Sequence, residues 1–69
     1  MMVKLKGVDE PVNIANTAPV GIASYPNKTD NPVAEHFIHF FVWYESKWQE
    51  ISRTMYNQLV AAGNPSQNI

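Results

Sequence analysis

His36 and His39, with Glu35 beside them, form the cluster in this chain whose residue types suit metal ligation or acid-base work. Whether they act together depends on the element that carries them. In an extended strand successive side chains alternate, so His36 and His39 fall on opposite faces and cannot chelate one ion; on a helix the same spacing puts both on one face. Two histidines and a carboxylate also need outer partners to fix them, and no such shell is evident nearby. The sequence therefore predicts no metal and no cofactor. Ser24, Ser46, Ser52 and Ser66, with Asp9 and Asp30, supply the residue types of a hydrolase triad, as almost any chain does, but no nucleophile motif frames them. There is no glycine-rich phosphate loop, and a core this small leaves little room for a pocket of roughly several hundred cubic ångströms. No catalytic residue is assigned, and a non-enzymatic protein is expected.

The second candidate chemistry is aromatic. From His36 to Trp48 the chain reads HFIHFFVWYESKW. As a strand from His36 to Tyr44, it points Phe37, His39, Phe41 and Trp43 one way and Ile38, Phe40, Val42 and Tyr44 the other, so both faces are apolar. Such a face suits either stacking of unpaired nucleic-acid bases or contact with another protein, whose interfaces favour Tyr, Trp and Phe as anchors. Base stacking is usually joined to a positively charged groove, and only Lys47 and Arg53 lie near in sequence. Phe37, His39, Phe41, Trp43 and Trp48 are accordingly the predicted partner-binding residues.

The elements that must position these residues are short. Gly7, Pro11, Asn16, Pro19, Gly21 and Pro26 punctuate the first third, leaving strand-sized windows at Met2 to Leu5, Val12 to Ala15 and Val20 to Tyr25. Tyr25 to Pro32 concentrates Pro, Asn and Asp, which favour turns. After the aromatic strand, Glu45-Ser46-Lys47 is placed to reverse the chain, so that Trp48 to Ile51 returns antiparallel and brings Trp48 near Trp43. Ser52 is a predicted N-cap, Met55, Tyr56, Leu59 and Val60 follow at helical spacing, and Gly63 and Pro65 stop the helix, giving Arg53 to Ala62. Residues 66–69 are expected to be a disordered tail. The fold class is α+β, a small antiparallel β-sheet with one C-terminal α-helix in a single domain over residues 1–65. One alternative replaces the hairpin with a single helix from about 32 to 62, because Asn31-Pro32 is a good helix start and an apolar stripe from Phe37 to Ala62 recurs at three- and four-residue steps. An intermediate alternative keeps the strand and starts the helix at Ser46, where Ser46 and Gln49 match a capping box.

Size and charge narrow the function classes. A chain of 69 residues has one thin core, and it has no cysteine, so disulfides and thiolate zinc sites cannot brace it. Oligomerisation is the brace left. A net charge of −1, with five cations scattered among six acids, disfavours both duplex DNA binding and DNA mimicry. No stretch approaches the roughly 18 apolar residues that span a bilayer, and an unprocessed cytoplasmic protein without a membrane partner is expected. Asn27-Lys28-Thr29 fits the glycosylation pattern, a match that is frequent by chance. If one helix of about ten residues covers one side of a single sheet, four large side chains on the other side forgo roughly 6 to 12 kcal/mol of burial. Either the N-terminal strands cover that side or another protein chain does. The expected function is a small protein-binding module, self-associating or acting as a regulator or inhibitor of a larger protein, the kind of accessory protein that mobile elements often carry. The alternative is a single-stranded nucleic-acid binder, separable by its steep salt dependence.

Overall fold

The computed structural model describes residues 1–25 and 37–69, which form β1 (Met2–Val3), β2 (Val12–Asn13), β3 (Val20–Tyr25), β4 (Phe37–Tyr44), β5 (Lys47–Ile51), α1 (Arg53–Ala61) and β6 (Ser66–Asn68). The side chains of Tyr25 and Phe37, the proposed turn beyond Tyr25, the Asn31-Pro32 helix start, the glycosylation triplet and the pair Glu35 and His36 lie outside the described residues. The main sheet has the order β5-β4-β3-β6, and β1 and β2 form a separate antiparallel pair. This is the α+β arrangement of antiparallel strands and one C-terminal helix. It includes one parallel pair, β3 with β6.

The long helix from 32 to 62 does not form. Residues 37–51 are instead a β-hairpin in which Trp43 pairs with Trp48 and Phe40 with Ile51. The reason lies in composition: β-branched and aromatic side chains lose rotamer freedom against a preceding helical turn, and a helix apolar all round has no face for water. The turn spans only Glu45 and Ser46, both at positive φ, 52° and 65°. A two-residue loop with both φ values positive is a type I′ turn, whose twist matches that of the strands. It is normally made by Asn-Gly, so the hairpin holds Glu and Ser in a conformation L-residues disfavour. A helix starting at Ser46 is therefore also ruled out. Lys47 already belongs to the returning strand.

Ser52 is the N-cap, its hydroxyl accepting from the Met55 N–H at 3.1 Å. At the other end Gly63 takes φ +100°, and the N–H groups of Gly63 and Asn64 donate to the carbonyls of Val60 and Leu59, the two bonds of a Schellman ending. The sheet-facing side of α1 differs from expectation at one place. Met55, Tyr56 and Leu59 pack inward, but Val60 is 40% exposed, because in so short a helix the stripe centred on Leu59 turns Val60 toward solvent.

The N-terminal windows shorten to two residue pairs, Met2 with Asn13 and Val3 with Val12. The chain then leaves this pair: Pro11 lacks an N–H, and Lys6 donates its own to the Glu50 carbonyl on β5, at 2.9 Å. Leu5 and Ile14 continue inward beyond the paired residues. Val3, Leu5 and Ile14 join Val20, Phe40, Val42, Ile51 and Leu59 in one buried cluster. Val20, Val42, Phe40 and Ile51 occupy one face of the sheet by their register. The N-terminal pair and the helix thus cover the same face. Asn64 fastens the loop after the helix to this assembly, its side-chain amide donating to the carbonyls of Ala15 and Ala18 at 3.0 and 2.8 Å.

Ser66–Asn68, expected as a disordered tail, is a strand. It runs parallel to β3 with Val20 opposite Ser66 and Ile22 opposite Asn68. The partner is the free edge of β3, and a strand there needs only backbone pairing, so its three side chains are all exposed.

Candidate functional site

Alternation along β4 sends His39, Phe41 and Trp43 to the side of the sheet away from α1, and Trp48 and Glu50 of β5 stand opposite Trp43 and Phe41 on that same side. Four of the five predicted partner-binding residues, His39, Phe41, Trp43 and Trp48, are thereby brought together. The side chain of the fifth, Phe37, lies outside the described residues. The two indoles meet edge to face, with ring centres 5.3 Å apart and planes at 82°. That geometry sets the positive edge of one ring against the negative face of the other. His39 and Phe41 stack more loosely, at 6.4 Å and 27°. Trp43 remains 40% exposed, and His39, Phe41 and Trp48 are half-buried.

The polar rim of this face is an ion group that sequence reading missed. His39 Nδ1 lies 3.0 Å from Glu50 Oε2, and Lys6 Nζ lies 3.2 Å from the same oxygen. The hydrogen bond with His39, followed by that with Lys6, holds the Glu50 carboxyl below its ordinary value against the partial burial that opposes it. An ionised carboxylate only accepts, so His39 Nδ1 carries the proton in this contact. The pairing was invisible without the register, because Lys6 and Glu50 are far apart in sequence. Among the described residues no three ligating side chains gather in one place.

The two cations that sequence proximity associated with the aromatic block lie elsewhere. The Arg53 guanidinium sits over the Phe40 ring at 5.2 Å, on the helix side of the sheet. Lys47 is paired with Tyr44, whose alternation with Trp43 assigns it to that side as well. Lys6, the cation at the rim, is bonded to Glu50.

Gly21 is the second feature that sequence reading passed over, as mere punctuation. A Cβ there would lie 3.0 Å from Ile69 Cδ1 and 3.2 Å from Trp48 Cζ3. Gly21 therefore lets an indole from β5 and an aliphatic side chain from beyond β6 settle against the backbone of β3. A glycine inside a strand pattern is the available signal for such close approach.

A concavity of about 410 Å³ also exists where little room was expected, lined by Ile22, Ser24, Ile38, Asn68 and Ile69. None of those side chains is ionisable at neutral pH. Comparison of the chain with family models, curated proteins and solved structures finds no match. Among the described residues no helix is long and apolar enough to cross a membrane.

Proposed function

We propose that this protein is a small non-enzymatic protein-binding module whose aromatic sheet face pairs with a second copy of the chain. The observation that supports this most directly is the placement of both covering layers on one side of the sheet, while Trp43, in contact with Trp48, stays 40% exposed on the other. Full burial of a large apolar side chain gains about 1.5 to 3 kcal/mol, so a chain with thin intrinsic stability gains appreciably from covering this face. An isologous pair sets the same patch against itself about a two-fold axis. The patch suits that arrangement, because the apolar rings are bordered by Glu50 and Lys6 already paired with each other, so the rim carries no block of like charge to repel a second copy. The same face serves equally to regulate or inhibit a larger protein that displaces the second copy. The absence of cysteine suits a reducing compartment, and we place the protein in the cytoplasm.

The nucleic-acid reading is the weaker one. It needs cations beside the rings, and Arg53 and Lys47 belong to the opposite side of the sheet. A proton NMR dilution series tests the pairing. The indole N–H resonances of Trp43 and Trp48 should move with protein concentration, at low and moderate salt alike, while amides of the exposed helix surface stay fixed. Resonances that remain fixed over a hundredfold dilution count against pairing. A shift produced only by adding oligonucleotide, and lost steeply with salt, would favour the nucleic-acid reading.

A further inference from the structure

Ser66–Ile69 fits the free edge of β3 more like a bound peptide than like part of the core. Two backbone bonds mark its ends, Val20 N–H to the Pro65 carbonyl at 2.8 Å and Ile69 N–H to the Ile22 carbonyl at 3.0 Å. Its pairing is parallel, the less stable of the two ladder types. Every side chain of β6 is exposed, and Ile69, though it lies against Gly21 beside Trp48, is still 46% exposed. The segment contributes no residue to the buried cluster. The loop before it is fixed independently, because Asn64 is held by Ala15 and Ala18 and needs nothing from β6. An edge strand with few buried contacts is drawn from the low end of local stability.

We propose that the edge of β3 from Val20 to Ile22, with the Gly21 and Trp48 recess beside it, is a binding slot for an extended segment of another protein, and that Ser66–Ile69 occupies it as a displaceable stand-in. The chain's own segment states the chemistry of the partner. It runs parallel to β3, offers its backbone N–H and C=O groups as the fourth strand of the sheet, carries uncharged polar residues at the first three positions, and places a branched aliphatic residue over Gly21. This is strand addition, in which main-chain bonds supply affinity and a side-chain recess supplies selectivity. Gly21 shapes that selectivity: a Cβ there would lie 3.0 Å from the aliphatic residue and 3.2 Å from the indole, so both sit closer to the β3 backbone than a larger residue would let them without a shift. The inference goes beyond the pairing of aromatic faces. The two meet at Trp48, which reports on both.

The test uses the full chain carrying Ile69→Asp, which removes the aliphatic anchor and leaves every backbone group in place. The probe is a synthetic hexapeptide with the sequence of residues 64–69, blocked at both ends. Its addition should change tryptophan emission saturably. The unaltered chain, whose own segment competes at an effective concentration on the order of millimolar, should need at least roughly tenfold more peptide. A hexapeptide ending in Asp should give no response. Amide exchange on the unaltered chain provides a reading that does not depend on the variant's fold. The N–H groups of Val20 and Ile69 should exchange at least roughly a hundredfold faster than those bonding β3 to β4. Equal protection of the two sets, or no saturable response in a folded Ile69→Asp chain, overturns the slot. Concentration-dependent movement of the Trp43 indole alongside a slot that takes no peptide would sink this inference and leave the pairing intact; peptide uptake without that movement would do the reverse.

Discussion

On the helix side of the sheet Val20, Val42 and Ile51 are fully buried beneath Leu59 and the N-terminal Val3, Leu5 and Ile14. On the other side Trp43, a larger side chain with more to gain, is 40% exposed. The two faces share their strands, so strand propensity does not explain the difference. What differs is cover. The helix is amphipathic on one stripe and the N-terminal pair is drawn to the outer edge of β5 by the bond from Lys6 to Glu50, so both layers arrive on the same side. The aromatic side is left to organise itself through ring-to-ring contact, a recess over Gly21 and an ion group at its rim. One face holds the buried cluster, and the other packs on itself only in part and leaves Trp43 40% exposed.

Substitutions can break that contrast. Leu59→Ala opens a cavity at the centre of the covered face and should cost about 2 to 5 kcal/mol in urea unfolding, enough to unfold a domain of this size. A cost below ~1 kcal/mol would mean that the helix covers less than its burial implies. Ser46→Gly removes a side chain from a residue at φ 65° and should raise stability by about 1 kcal/mol, while keeping Trp43 opposite Trp48. Destabilisation instead would show that the turn is held by something other than local twist. A double-mutant cycle of Trp43→Ala and Trp48→Ala, run at a concentration where the chain is monomeric, should return a coupling of about 0.5 to 1.5 kcal/mol from the edge-to-face contact. A coupling near zero would place the two rings in contact only when another chain holds them.

The smallest expected effect is at the rim. Because the carboxyl of Glu50 titrates below its ordinary value in the folded chain, its contribution to stability is present above the unfolded value of 4.5 and is lost as pH falls through the folded one. Below that point neither state gains from it. Thermal unfolding of Glu50→Gln should therefore lack part of the acid-limb decline seen in the unaltered chain, by a modest amount because the group is a third exposed and screened by solvent. Parallel acid limbs would remove His39 and Lys6 from any stabilising role.

Much of the fold was legible because the relevant signals are local. The punctuation that bounds Val20 to Tyr25, the aromatic and β-branched run from His36 to Tyr44, the hydroxyl of Ser52 and the stop at Gly63 each act within a few residues, and β3, β4 and α1 formed where those signals stood. The meeting of Trp43 with Trp48 needed only the position of the turn. What escaped was non-local or chemically silent. Ser66–Asn68 carries no apolar pattern, and its parallel partner lies more than forty residues earlier. The bond between Lys6 and Glu50 and the choice of face by Val3, Leu5 and Ile14 depend on register and on which side the helix lands. Alternation predicted two apolar faces and could not say which would remain uncovered.

Sedimentation equilibrium over a wide concentration range, on the unaltered chain and on Trp43→Asp, tests the central claim most directly. Pairing through the aromatic face predicts a dimer that persists from low to moderate salt in the unaltered chain and a folded monomer in Trp43→Asp. A strict monomer at every concentration, or a dimer indifferent to Trp43→Asp, would contradict it.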